Sequence, residues 1–201
     1  MGPYASVDRA YDLKRLLFSA RLILENYINS ALFPSFMKFA NKLGFGVEWN
    51  YRTLSLFIFL LILPNLLGMI NLPTLWGFKI HAFQLAIFIA AIVYGPTGGL
   101  LSGLLGSFYS AFIMATAYIV GGNAILGFFV GLFVRHRMHT ILAVLLAFII
   151  QLPWLIVTDY YLMGLSASFI QALVIALVIS NLVWATVAHY SAKPIKAALA
   201  R

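Results

Sequence analysis

The side chains that could do chemistry are few, and their spacing says which chemistry is open to them. The chain carries four histidines, His81, His136, His139 and His189, five acidic residues and no cysteine. Without thiols there is no Cys-ligated zinc, no iron–sulfur centre and no thiolate nucleophile. No His-Glu-x-x-His pair occurs, no Gly-x-Ser-x-Gly elbow surrounds Ser102, and no Gly-x4-Gly-Lys-Ser/Thr phosphate loop is present. Bond-breaking sites need a nucleophile with its base, a metal cluster or paired carboxylates. Within the apolar stretches Asp159 stands without a second carboxylate. An enzyme is not expected, and neither a cofactor nor a metal is expected. The remaining set is one of amides, hydroxyls and aromatic rings: Asn65, Asn71, Trp76, Gln84, Tyr109, Asn123, Trp154 and Gln171, with Lys79, His81 and Asp159 among them. Such groups hold a small molecule by directional hydrogen bonds and stacking.

The elements that must position these groups are membrane helices. Of 201 residues 63% are hydrophobic and only 9% charged, against about 25% charged in an ordinary soluble domain. A water-soluble fold could not cover its surface with so few charges. A hydrocarbon core of about 30 Å needs about 20 helical residues, and six apolar stretches follow residue 52, at 53–70, 80–94, 97–116, 119–134, 140–161 and 167–190. Asn71, Pro73 and Gly77 break the chain after the first, and Gly95-Pro96 after the second. The expected fold is an all-α membrane protein, a compact bundle of six transmembrane helices over 52–192. It is preceded by an amphipathic N-terminal helical extension over 1–51 and followed by a basic cytoplasmic tail over 193–201.

In the extension, Leu13, Leu16, Leu17, Ala20, Leu24, Tyr27 and Ala31 recur at helical spacing, with Asp12, Lys14, Arg15, Arg21 and Glu25 mostly elsewhere on the wheel. A helix lying on the membrane surface fits this pattern; a partner-docking helix is the alternative. No uninterrupted apolar core follows a basic start, so a cleaved signal peptide is not expected. No internal repeat of 20–50 residues is evident.

Charge sets the orientation. With six spans, Lys38, Lys42, Arg52, Arg135, Arg137, Lys193, Lys196 and Arg201 fall on one side and Lys79 on the other. The positive-inside rule assigns the basic side, with both termini, to the cytoplasm of a cell-membrane protein. The net charge of +8 is thereby explained without nucleic acid. On this orientation the polar residues gather in the outer half: Asn65, Asn71, His81, Gln84, Tyr109, Ser110, Thr116, Tyr118, Asn123, Gln151, Trp154, Thr158, Asp159, Tyr160, Tyr161, Ser168 and Gln171. Fewer lie in the inner half, chiefly Ser55, Ser102 and Asn181. Buried polar groups in lipid need satisfaction, and the asymmetry points to a polar-lined cavity facing outward. Singly, each has a plainer role: Tyr118, Tyr160, Tyr161 and Trp76 as an interfacial aromatic belt, Gln84, Gln151 and Asn181 as helix–helix hydrogen bonds, Lys79 and Asp159 as groups reaching water.

Small residues form rows at i, i+4: Gly99, Gly103, Ser107 and Ala111; Ser102, Gly106 and Ser110; Ala82, Ala86 and Ala90; Gly127 and Gly131. Such rows let helix backbones approach closely in lipid. They serve packing within the chain, or one of them serves as the docking face for another membrane subunit.

The stretch Lys79-Ile80-His81-Ala82-Phe83-Gln84, then Ala90-Ala91-Ile92-Val93-Tyr94-Gly95-Pro96-Thr97-Gly98-Gly99 and Ser102-Gly103-Leu104-Leu105-Gly106, resembles the S components of energy-coupling factor (ECF) importers. There the second span ends in an aromatic–Gly–Pro turn leading into a Gly-rich third span. The resemblance covers roughly 53–190. It implies a six-helix membrane protein that binds a vitamin or similar micronutrient. The partners it implies are a transmembrane coupling (T) subunit and two cytoplasmic ATPases that supply the energy. The substrate would lie in the outer part of the bundle, under the loop joining spans one and two, here 71–78. Many members carry an Ala-x-x-x-Ala docking row on span one; here that span reads Leu54-Ser55-Leu56-Phe57-Ile58-Phe59-Leu60. Docking is therefore expected through another small-residue face, such as Ala82, Ala86 and Ala90, or Gly99 and Gly103. Two other functional classes stay open: a stand-alone secondary transporter or channel, and a membrane scaffold subunit.

Overall fold

The computed structural model describes residues 15–20, 34–36, 45, 47–73 and 79–199, with 71–73 and 79–80 described in backbone only. The chain divides into two compact units, Met1–Leu43 and Gly44–Arg201. In the first, residues 15–20 and 34–36 are helical. The rest of the expected amphipathic extension, including Leu13, Leu24, Tyr27 and Ala31, lies outside the described residues.

The second unit begins with helix α1, Tyr51–Gly68. Its start is fixed by a reciprocal cap: the Thr53 amide donates to Asn50 Oδ1 (2.9 Å) and the Asn50 amide to Thr53 Oγ1 (2.7 Å). A narrow stripe of Thr53, Phe57, Leu60 and Pro64 is buried, while Ile58, Phe59, Ile62 and Leu66 stay exposed. A helix apolar on every side yet buried on one stripe suits a lipid-facing position. Strand β1, Asn71–Pro73, then pairs antiparallel with β2, Lys79–His81, in the register Asn71↔His81 and Pro73↔Lys79. The connection expected to be a loop is thus a small β-hairpin.

Helix α2, Phe83–Leu105, contains the Gly-Pro break. Gly95 (φ 72°, ψ −160°) is its only residue in a non-helical conformation. That region is essentially reserved for glycine, and it turns the chain back on itself. In a straight helix residues 90 and 98 would be about 12 Å apart along the axis. Here a side-chain carbon on Gly98 would come within 3.0 Å of the Ala90 carbonyl oxygen, and one on Gly99 within 2.9 Å of Ala91 Cβ. The two arms of α2, 83–94 and 96–105, are the legs of a helical hairpin. After a break at Gly106 and Ser107 the short helix α3, Phe108–Ile113, extends the second leg.

Helix α4, Tyr118–Arg135, runs antiparallel to that second leg. Gly99 meets Gly127, Gly103 meets Asn123, and Gly95 meets Gly131, backbone against backbone. Ile87 of the first leg reaches the same Gly127, within 3.0 Å of a carbon added there. Helix α5, Thr140–Leu155, passes into a π-helical segment, Ile156–Leu162, and after Gly164 (φ 69°) helix α6 spans Ala167–Leu199. The segment expected as a basic tail continues α6 as far as Leu199.

Five helical runs are long and apolar enough to cross a membrane: Tyr51–Gly68, Phe83–Ile113, Tyr118–Arg135, Thr140–Leu162 and Ala167–Leu199. This agrees with a helical, multi-pass membrane protein. The count differs from the expected six because the second and third apolar stretches, the two legs of the α2 hairpin, join at Gly95 without an intervening loop and count as one run. The contacts also order the unit along its length. Tyr94 donates to the Thr53 carbonyl (2.6 Å), Gly131 abuts Gly95, and His189 Nδ1 lies 3.1 Å from Thr140 Oγ1. These mark one end, where Arg52, Arg135 and Arg137 also fall. At the other end Gly68 meets Tyr109 and Ser110, beside the 113–118 and 162–167 turns.

Candidate functional site

The cavity lies at this second end, away from the arginines. It has a volume of about 380 Å³, within the range of small-molecule sites. Every element of the unit except α1 and β1 contributes to its wall. His81 comes from β2 and Gln84 from the first turn of α2. Ser110 comes from α3 and Thr116 from the turn after it. Tyr118, Gly122 and Asn123 come from α4, Gln151 and Trp154 from α5, and Thr158 and Asp159 from the π-helical segment. The α6 wall is apolar: Phe169, Leu173 and Leu177 repeat every four residues on one face. Tyr118, Trp154, Met163 and Phe169 are exposed on their outer side and form the rim.

The amides differ in how much bonding capacity is left. Gln84, buried at 2% exposure, accepts a 2.6 Å hydrogen bond from Ser180 Oγ through Oε1, and its NH2 group is unengaged among the described residues. Asn123 donates through Nδ2 to Ser107 Oγ (2.8 Å), which in turn donates to the Gly103 carbonyl (2.6 Å); Asn123 Oδ1 is left to accept. Gln151, buried at 7% exposure, makes no hydrogen bond to the described protein. Buried amides with unused donors and acceptors are costly unless something else satisfies them. Trp154 is fixed as a wall rather than a donor, because its indole N–H already donates to the Tyr118 carbonyl (3.0 Å). Glycines make room for it. A carbon on Gly121 would lie 2.6 Å from Trp154 Cζ2, and one on Gly122 would lie 3.1 Å from Gln151 Nε2.

The π-helical segment decides where Thr158 and Asp159 point. The Met163 amide donates to the Thr158 carbonyl five residues back (2.9 Å), and such wider turns recur at functional sites. Pro153 on the preceding turn of α5 lacks the amide hydrogen that would hold a regular ladder. The Thr158 hydroxyl donates to the Trp154 carbonyl (2.9 Å), and its oxygen lies 3.1 Å from Asp159 Oδ1. Among the described residues Asp159 has no basic partner.

Of the residues expected to bind substrate, the cavity brings together His81, Gln84, Asn123, Trp154 and Asp159. Three others point elsewhere. Asn65 donates to the Leu105 carbonyl (2.8 Å) and accepts from the Tyr109 amide (2.9 Å), so both ends of its amide splice the break between α2 and α3. Tyr109 packs against Gly68 on α1. Gln171 is exposed, two residues from the lining stripe and so on the opposite face of α6. Trp76 lies outside the described residues, as do the side chains of Asn71 and Lys79. The cavity adds Ser110, Thr116, Tyr118, Gln151 and Thr158, which belong to the outer polar set but were not among the residues expected to bind substrate. Gln151 was legible from its spacing, one turn before Trp154 on the same helix. Ser180, which orients Gln84, gave no signal.

The expected docking rows are corrected. Ala86 and Ala90 have no exposed surface, Ala82 is 5% exposed, and Gly99 and Gly103 are buried against α4. All five are engaged in packing within the chain and offer no face to a partner. At the opposite end the His139 and His189 rings lie against each other, centroids 4.6 Å apart and tilted by 38°. Among the described residues no third His, Cys, Asp or Glu gathers with them as a metal site.

The chain matches no protein-family model, no curated protein and no solved structure.

Proposed function

We propose that this chain is the membrane-embedded capture subunit of an ATP-driven importer, of the kind the ECF S components represent. In this reading it takes a vitamin-like micronutrient from outside the cell and passes it inward when docked to a coupling subunit driven by two ATPases. The observation that carries the reading is the cavity of about 380 Å³ lined by Gln84, Asn123 and Gln151, whose amides retain unused bonding capacity. Its distance from the Arg52, Arg135 and Arg137 end supports an outward-facing site under the positive-inside rule. Counting the two legs of α2 as separate passes gives six, with both termini in the cytoplasm and the β-hairpin outside. The resemblance around Tyr94-Gly95-Pro96 supports the same arrangement. Docking would then use a surface other than the buried alanine and glycine rows.

The test is mass spectrometry of small molecules released from the gently purified full chain. Wild type should release a stoichiometric compound, and the double variant Gln84→Leu with Gln151→Leu should retain about 10-fold less or lower, from loss of two polar contacts. A wild type that releases nothing, yet co-purifies with a protein partner, would favour a scaffold. Uptake into liposomes by the chain alone, without ATPases, would favour an autonomous transporter. Because the chain has no cysteine, Gly164→Cys should react with an impermeant maleimide from outside intact cells, and Arg137→Cys only after permeabilisation.

A further inference from the structure

The wall of the cavity is asymmetric in charge. Among its described lining residues Asp159 is the only acidic side chain, His81 is the only side chain that could become cationic, and no lysine or arginine is present. The carboxylate is half-buried and has no ion-pair partner among the described residues. One of its oxygens is approached by the Thr158 hydroxyl at 3.1 Å, and the other is unengaged by the described residues. Much of the remaining surface is apolar, from Trp154, Leu173, Leu177 and their neighbours. A charge at membrane depth is expensive unless it is paired, and an unpaired carboxylate in an apolar recess repels a second negative charge.

We infer that the ligand of this cavity is a compact molecule that carries a positive charge at one end and a neutral hydrogen-bonding ring at the other. This inference rests on the capture reading above and narrows it. The cation pairs with Asp159 at the rim. The ring lies deeper, between the Trp154 indole and the α6 wall. Its edge presents an acceptor to the Gln84 NH2 group and a donor to Asn123 Oδ1, and Gln151 supplies both kinds of partner. The cavity volume is near the lower end of the small-molecule range, which suits one or two rings. Carboxylates and phosphate esters are disfavoured, since among the described lining residues they would face the Asp159 carboxylate with only His81 able to offset them.

A competition experiment tests this. The purified full chain in nanodiscs is incubated with equimolar thiamine, riboflavin and biotin, which are cationic, neutral and anionic, then washed. Retained compounds, with any carried from the cells, are released by denaturation and identified by mass and charge. The expected result is retention of a cationic compound, weakened about 10-fold or more in Asp159→Asn, as for loss of a charged hydrogen-bonded pair. Lys193→Gln, at the opposite end of α6, should leave retention unchanged, and the melting temperature of Asp159→Asn and Lys193→Gln without ligand should stay near that of wild type. Retention of an anion, especially if lost in Lys79→Gln, would overturn the inference while leaving capture intact. So would retention of a neutral compound unaffected by Asp159→Asn. A chain that retains nothing and releases nothing overturns the capture reading and this inference with it.

Discussion

The two ends of the same bundle are built on opposite principles. Toward the Gly95 turn, α4 meets the α2 hairpin at Gly127 and Gly131 with no side chain between the backbones. Toward the β-hairpin α4 keeps its backbone contact with the second leg at Gly103 and Asn123, but on another side Gly122 and Asn123 line the cavity. Close backbone contact gives dense dispersion packing where lipid offers no hydrophobic drive for association. The cavity end keeps that packing on one side only and, on the other, holds amides with unused donors and acceptors. Stability and ligand binding are therefore expected to reside in different residues of one helix pair.

The largest effect should come from wedging the tight end open. Gly99→Leu must push against the Gly127 carbonyl, and overpacking of this kind costs about 3 kcal/mol or more where backbone cannot yield. Loss of the monodisperse peak in size-exclusion chromatography is the expected readout; a normally folded variant would break the comparison. Next is Gly95→Ala, which forces an L-residue into a conformation that costs about 1–3 kcal/mol, read as a lower melting temperature. Asn123→Leu straddles the two regimes. It should weaken ligand binding about 10-fold and lower stability by about 1 kcal/mol, because Ser107 loses its buried donor. Gln151→Leu isolates the cavity, with a similar loss of affinity but no loss of stability, since Gln151 has no hydrogen-bond partner to strand among the described residues. Smallest is Gly121→Ala, which displaces the Trp154 ring and should change affinity about threefold with stability within about 1 kcal/mol. If Gln151→Leu destabilised the fold as much as Gly95→Ala, the proposed division of labour would be wrong.

The division was partly legible in sequence. Apolar stretches, the Gly-Pro break and the small-residue rows are local signals, and each marks an element or a close approach that the structure contains. The clustering of polar residues toward one end was legible too, because depth in a membrane helix follows from position alone. Where an amide points within that end does not. Asn65 has the same type and depth as a binding residue, yet it satisfies the backbone at the break near Gly106, which sequence had read as the middle of a helix. Gln171 is a residue of the right depth on the wrong face of α6. The partner of Gln84 is Ser180, 96 residues away, and no periodicity links them. The π-helical turn after Pro153 shifts Thr158 and Asp159 relative to regular α5 geometry, and Pro153 marks a weak ladder without saying which way the next turn rewinds. The rows expected to dock a partner were misjudged because small residues signal proximity without saying to whom.

Helix α6 has 33 residues, which at 1.5 Å each is about 50 Å, while the hydrocarbon layer is about 30 Å thick. Upright, this rod would protrude by about 20 Å, close to four turns. His189, Lys193 and Lys196 lie on the emergent stretch, and Ala188 and Ala192 beneath them are buried, so it leaves the bilayer as a braced post rather than a loose thread. Its cationic surface would stand at headgroup height, where anionic lipid could grip it and set how far the whole bundle is able to tilt.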